Sequence, residues 1–124
     1  MANPTVERFM QTLQHTEQSG DVESLVNLFA EDAELSNLVL TEPLRGLAGA
    51  RQFWSDYLGA FGQIRSHFER AIAADNAAVL EWVSEGKLHS GEPIRYRGVS
   101  ILEIEGDRVR RFRSYYDSAA FSLK

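Results

Sequence analysis

The stretch Ala78–His89, AVLEWVSEGKLH, decides the fold, because its residues alternate between two sides of an extended chain. One side carries Leu80, Trp82 and Ser84, and the other carries Val79, Glu81, Val83 and Glu85. A period of two predicts a half-buried β-strand. Asp75-Asn76 before the stretch, and Gly91 and Pro93 after it, are typical of turns. The stretch is therefore predicted to be one long strand of an antiparallel sheet.

Three neighbouring segments have the same character. Ile64–Ala73 precedes the stretch, Ile94–Ile104 follows it, and Val109–Asp117 comes after a turn at Gly106-Asp107. Turn signals every 12–16 residues predict a meander of long antiparallel strands.

The first half of the chain has a helical period instead. Asn3-Pro4 is a typical helix start, and Val6, Phe9, Met10 and Leu13 follow with the spacing of one helical face. Gly20 is predicted to end this helix and Asp21 to cap a second one, whose apolar face is Val22, Leu25, Val26 and Phe29.

A third helix is predicted from Leu47 to Phe61, with a short strand at Ala33–Leu40 before it and a short terminal helix at Ser118–Leu123. The fold class is α+β: three N-terminal helices packed on a strongly curved, mainly antiparallel sheet. Such a sheet forms a cone with an internal pocket. Residues 1–124 are expected to be one domain.

Composition excludes several classes of function. The 124 residues include 13 basic and 18 acidic side chains, so the net charge of −5 disfavours a nucleic-acid partner. The absence of cysteine excludes disulfides and thiolate metal sites, and the three histidines are too scattered for a metal site. No segment is apolar enough to span a membrane and no secretory segment follows Met1. We expect a cytoplasmic protein without metal or cofactor.

Several motifs, in this order, resemble the nuclear transport factor 2-like superfamily and its SnoaL-like branch. They are Gly20-Asp21, Leu28–Ala33, Gly46, Gly106–Val109, Phe112 and Tyr115–Asp117. The resemblance covers almost the whole chain. It implies a pocket fold that hosts ketosteroid isomerases, polyketide cyclases, epoxide hydrolases, dehydratases and plain binding or dimerisation domains, so it does not by itself assign a function.

Asp117 is the acid or base that this resemblance implies. Burial in a dry pocket raises the pKa of a carboxylate and suits it to proton transfer near neutral pH. Tyr115 shares strand parity with Asp117, and Tyr57 lies on the apolar face of helix three, so either phenol could stabilise an enolate. The alternatives are that Asp117 only caps the terminal helix and that Tyr57 is a core residue.

Epoxide hydrolysis is disfavoured. The hydrolases of this superfamily have an Arg and an Asp where this chain has Trp82 and Ser84, and a Tyr-x-Asn pair where it has Leu35 and Asn37. Trp82 would instead form an apolar pocket wall. Asn37 could orient water or a carbonyl oxygen.

The remaining candidate ligand-binding residues are Ser84, Trp54 on helix three, Asp32, which the resemblance implies at the pocket mouth, and His67 as a base. The alternatives are that Asp32 is only the polar end of helix two and that His67 is an exposed strand residue. Two functions stay open: a cofactor-free isomerase, cyclase or dehydratase acting on a small apolar carbonyl compound, and a non-catalytic ligand-binding or dimerisation module. A homodimer is expected under both, because Val79, Val83, Val99 and Ile101 would leave an apolar patch on the outer face of the sheet.

Overall fold

Helix α1, Pro4–Ser19, has the predicted boundaries. In the computed structural model, which describes residues 3–121, Asn3 Oδ1 accepts hydrogen bonds from the backbone N–H groups of Thr5 (3.0 Å) and Val6 (3.4 Å). Gly20 ends the helix with a φ of 81°, a left-handed conformation that glycine adopts without strain.

The region after α1 differs from the prediction. Helix α2 is only Val22–Val26, and strand β1 is Phe29–Asn37 rather than Ala33–Leu40. Phe29 pairs with Val109 of the last strand, and the Val109 N–H donates to the Leu28 carbonyl oxygen. Because of this long-range pairing, Phe29, which was expected on the helical face, lies in a strand.

The third helix, α3, is Gly46–Gly59, so Phe61 begins the next strand instead of ending the helix. A two-residue strand that the sequence does not predict, β2 at Leu44–Arg45, precedes α3 and pairs with β1.

The predicted meander is confirmed. It consists of β3 (Phe61–Ala73), β4 (Ala77–Leu88), β5 (Pro93–Glu105) and β6 (Arg108–Tyr116). The six strands form one sheet in the order β2-β1-β6-β5-β4-β3, which is not closed into a barrel. All neighbours are antiparallel except β1 and β6, which are parallel. A short 3₁₀ helix, Ser118–Phe121, follows; Leu123 of the expected terminal helix lies outside the described residues.

The core lies between the helices and the inner face of the sheet. Its five largest fully buried side chains come from both layers: Phe9, Leu25, Leu35, Leu80 and Leu102. Among residues 3–121, no helix is both long and apolar enough to cross a membrane.

Candidate functional site

A cavity of about 310 Å³ lies between the helices and the inner face of the sheet. This volume is at the small end of the range for small-molecule sites. Aromatic and aliphatic side chains form most of its wall. The apolar members include Phe9, Leu13, Phe53, Trp54, Phe61, Phe68, Trp82, Phe112 and Phe121.

Strand alternation positions the polar part of the wall. Successive inward residues are Ser66 and Phe68 on β3, Trp82 and Ser84 on β4, Tyr96 and Ser100 on β5, and Phe112, Ser114 and Tyr116 on β6. Serines are therefore interspersed with rings on four adjacent strands. All four serines are buried.

Some of these hydroxyl groups bind a carboxylate from α1. Glu17 Oε2 accepts hydrogen bonds from the hydroxyls of Tyr57 (2.6 Å) and Ser66 (2.6 Å), and Glu17 Oε1 accepts one from the Ser66 backbone N–H (2.8 Å). We call Glu17, Tyr57, Ser66, Ser84 and Tyr96 the hydroxyl cluster. Four of its five members line the cavity, and Glu17 lies behind Tyr57 and Ser66.

The ionised form of Glu17 fixes the direction of the hydrogen bonds. The Ser66 and Ser84 hydroxyl oxygens are 2.6 Å apart. Because Ser66 has one hydroxyl proton and gives it to Glu17, Ser84 is the donor in this pair. The Tyr96 hydroxyl has those of Tyr57 and Ser84 as its polar neighbours.

Burial raises the pKa values of three members of the cluster: Glu17, Tyr57 and Tyr96. Desolvation raises the pKa of Glu17 above its ordinary value of 4.5, although hydrogen bonds from Ser66 and Tyr57 and the charge of His67 act in the opposite direction. Desolvation also raises the pKa of Tyr57 and of Tyr96, and the nearby Glu17 carboxylate adds to both shifts. Both phenols are therefore neutral donors at physiological pH.

A second polar row runs beneath the Trp82 indole. Trp82 Nε1 donates to Ser100 Oγ at 2.9 Å, and Ser100 Oγ is 3.4 Å from Ser114 Oγ. Gly98 leaves room for this ring, since a Cβ there would lie 2.8 Å from Trp82 Cζ2 and would also overlap the Tyr115 carbonyl oxygen. The indole is thus held flat against β5 as part of the cavity wall.

Trp54 belongs to an aromatic cluster. It is 2% exposed, and its ring centroid lies 5.0 Å from that of Phe53, 5.1 Å from Phe112 and 5.7 Å from Tyr57. Among the described residues its buried indole N–H has no hydrogen-bond acceptor.

Glu17 also faces the outside. A smaller polar recess of about 260 Å³ lies on the outer side of α1 and β3. Its wall is Gln14, Glu17, Gln18, Ile64, Arg65, Ser66 and His67. Glu17 therefore separates this outer recess from the cavity, with Ser66 lining both.

The two expected catalytic residues, Asp117 and Tyr115, do not line the cavity. Asp117 is exposed, does not line the cavity, and accepts a hydrogen bond from the Ala119 N–H at 3.1 Å, so its carboxylate caps the 3₁₀ helix. Tyr115 is 46% exposed, and its neighbour Tyr116 lines the cavity instead. The inward positions of β6 are Phe112, Ser114 and Tyr116, which corrects the expected side for Tyr115.

Of three further candidates, one lines the cavity with its amide oxygen already bound, and two do not line the cavity. Asn37 lines it, but its amide oxygen accepts hydrogen bonds from the N–H groups of Val39 (2.9 Å) and Leu40 (3.1 Å). Asp32 is exposed and lies 3.6 Å from Arg110. His67 is exposed in the outer recess, 3.9 Å from Glu85.

The structure brings the other four candidates together. Tyr57, Trp54, Trp82 and Ser84 all line the cavity. Tyr57 is both a core residue and a polar one, since its ring packs on Trp54 while its hydroxyl binds Glu17.

Sequence reasoning missed Glu17, although a signal exists. Glu17 lies four residues after Leu13, so the helical period that buries Phe9 and Leu13 also turns Glu17 toward the sheet. A carboxylate in that position needs partners. No group of three or more His, Cys, Asp or Glu within residues 3–121 is arranged to hold a metal ion.

Comparison with known proteins agrees with this architecture. An NTF2-like protein from Anabaena variabilis superimposes with a TM-score of 0.85, at 18% identity over 97% of this chain and 92% of the other. TerC, co-crystallised with polyporic acid, gives 0.81 at 18% identity, covering 96% and 95%. A Mycobacterium tuberculosis LEH-like epoxide hydrolase gives 0.75 at 15% identity, covering 95% and 86%. A search of curated protein sequences gives no match.

These likenesses are structural and show a shared fold. The sequence itself matches the model of the SnoaL-like domain over residues 6–112, which is most of the chain. The chain therefore belongs to the SnoaL-like domain family.

Proposed function

We propose that this chain binds a small, largely apolar molecule in the cavity and that the hydroxyl cluster hydrogen-bonds to one oxygen atom of that molecule. The observation that carries the proposal is the cluster itself: phenol and serine hydroxyls meet at one place in a wall otherwise made of rings and aliphatic groups. Sites for small molecules combine apolar walls with a few polar groups in this way. TerC, which shares the fold, was co-crystallised with the small molecule polyporic acid.

The two tryptophans of the chain offer a direct test, because both line the cavity. Titration with a panel of bicyclic ketones, steroids, polyketides and terpenoids should change the tryptophan fluorescence and raise Tm for at least one compound. Ser84→Leu, which fills the cavity beside the cluster, should abolish the response. Ser90→Leu is the matched control at an exposed turn and should retain it. A wild-type chain unresponsive to the whole panel would contradict the proposal.

A second candidate function is proton transfer on a carbonyl ligand, and the position of Glu17 favours it. Tyr57 can take a proton from the carbon next to the carbonyl while its own hydroxyl proton passes 2.6 Å to the Glu17 carboxylate. The electron pair left by the C–H bond moves onto the carbonyl oxygen, where the neutral Tyr96 hydroxyl donates to the resulting enolate. Return of the proton to another carbon completes an isomerisation. Asp117 has no part in this scheme.

Deuterium exchange measures this step. Alpha-tetralone incubated in D₂O with the protein should lose its α-proton signal in the NMR spectrum faster than without it. Tyr57→Phe should slow the exchange to the uncatalysed rate, whereas Tyr115→Phe, on the outer face, should leave it unchanged. Binding without exchange would favour the non-catalytic alternative.

We also propose that two copies of the chain pair through the outer face of the sheet. Val79 pairs with Ile101, and Val99 with Tyr115, so four apolar side chains adjoin there. Val83 adds little, because it is 8% exposed. Charges of both signs surround the patch, which suits a two-fold, self-complementary contact. Sedimentation equilibrium should give a dimer, and Val79→Glu should give a monomer; a wild-type monomer at micromolar concentration would contradict the proposal. A cytoplasmic location stays a prediction.

A further inference from the structure

The hydroxyl cluster has a definite number of donors. When Glu17 is ionised, the hydroxyl protons of Tyr57 and Ser66 point to its carboxylate and the proton of Ser84 points to Ser66. The oxygens of Tyr57 and Ser84 then have only lone pairs for the cavity. Tyr96 is the one cluster member whose proton is not held by Glu17 or Ser66, so a ligand oxygen can take it from the neighbouring Tyr57 and Ser84 oxygens.

A proton on Glu17 changes this count. The neutral carboxyl group becomes a donor to Tyr57 or Ser66, so one of the chains of hydroxyl groups reverses. If Tyr57 receives the new hydrogen bond, its own proton turns to the cavity; if Ser66 receives it, that of Ser84 does. Two donors, Tyr96 and one of these, then converge on the same oxygen atom of a ligand.

We infer that Glu17 is the specificity-determining residue of the cavity: ionised, it selects ligands with a hydroxyl donor, and protonated, it creates a two-donor site for a carbonyl or enolate oxygen. The inference rests on the proposed binding function and deepens it. Glu17 acts only through Tyr57, Ser66 and Ser84, so it is a positioning residue. Ketones are thus expected to bind together with one proton, and alcohols without one. Proton transfer from a bound ketone through Tyr57 then belongs to the fraction of the complex in which Glu17 is still ionised.

The surroundings of Glu17 allow that proton to come from water. Glu17 lines the outer recess as well as contacting the cluster, so the proton does not have to pass the ligand. The titratable and charged groups that face it are His67 and Arg65 from β3, Tyr57 from α3 and Tyr96 from β5. Of these, protonated His67 favours the ionised carboxylate, while the two phenols stay neutral.

Calorimetry with two probes of nearly equal shape tests the inference. Alpha-tetralone has only a carbonyl acceptor, and alpha-tetralol has a hydroxyl group in its place. Titrations in two buffers of different ionisation enthalpy, at several pH values, give the number of protons bound with each probe. Above the pKa of Glu17, tetralone should bind with uptake of about one proton and lose about tenfold in affinity per pH unit. Tetralol should bind with no uptake.

Variants identify the group that takes the proton. Glu17→Gln mimics the neutral carboxyl group, so its tetralone affinity should no longer depend on pH and the uptake should vanish. Glu69→Gln removes an exposed β3 carboxylate that does not line the cavity or the outer recess, and it should behave as wild type. Proton uptake on tetralone binding is measured in the wild-type protein itself, so the inference can be tested even where Glu17→Gln fails to fold.

The outcomes separate this inference from the function on which it rests. Tetralone binding without proton uptake at every pH would overturn the inference and leave the binding function intact. Uptake that persists in a folded Glu17→Gln variant would overturn it as well, because another group would then be the acceptor. If neither probe binds, and the wider panel also fails, both proposals are wrong.

Discussion

Glu17 and Asp117 are both carboxylates that accept a backbone N–H, yet they lie in different kinds of surroundings. Asp117 is exposed and binds the N–H two residues further along the chain. Glu17 binds groups that are 40 and 49 positions away, on α3 and β3, and burial raises its pKa. A carboxylate with local partners fixes a turn. One with distant partners joins separate layers of the fold, so its charge acts on groups from each of those layers. The second kind is where proton chemistry is expected.

The largest expected difference between the two acids is in catalysis. If Glu17 takes the proton through Tyr57, Glu17→Gln should slow deuterium exchange of alpha-tetralone by about a hundredfold or more. Asp117→Asn should leave the exchange rate unchanged, since its side chain does not line the cavity. NMR of the α-protons measures both. The opposite pattern, with Asp117→Asn inactive and Glu17→Gln active, would return the acid–base role to Asp117.

The contrast also shows what sequence could predict. Alternation within Ala78–His89 is local, so it correctly predicted a long strand with Trp82 and Ser84 on its buried side. Burial raises the pKa of a carboxylate that the sequence analysis did not single out, that of Glu17. The resemblance placed the acid or base at Asp117, because a family motif gives a position in the chain and not the side on which a side chain lies.

The failures have a common physical cause, which is tertiary pairing. Phe29 fits the helical period of α2, but pairing with Val109, 80 residues later, makes it a strand residue. Tyr115 and Tyr116 differ by one position, and a shift of one residue exchanges the faces of a strand. The register of β6 against β5 shifts between Glu103 and Ile104, and local sequence does not reveal that shift.

Stability should distinguish the two carboxylates less strongly than catalysis. Glu17→Ala leaves the buried Ser66 N–H and the Tyr57 and Ser66 hydroxyls without their acceptor, so it should lower the free energy of unfolding by about 2 kcal/mol. Asp117→Ala removes one cap and should lower it by about 0.5–1 kcal/mol. Urea unfolding at neutral pH measures both values. Equal losses would mean that Glu17, too, is only a local cap.

The smallest expected effect is the pH dependence that Glu17 gives to stability. Its pKa is raised in the folded protein, so between about pH 4.5 and the raised value the folded chain holds more of the proton than the unfolded chain does. The free energy of unfolding should therefore fall as pH rises through this window, by at most about 1.4 kcal/mol per pH unit, the limit for a single proton. Glu17→Gln lacks this contribution. The stability of the variant relative to wild type should thus increase with pH and level off above the raised pKa, as urea unfolding at a series of pH values would measure.

A relative stability that falls with pH would mean that the hydrogen bonds to Glu17 outweigh its burial. The cluster would then hold a permanent anion and would offer a ligand a single hydrogen-bond donor.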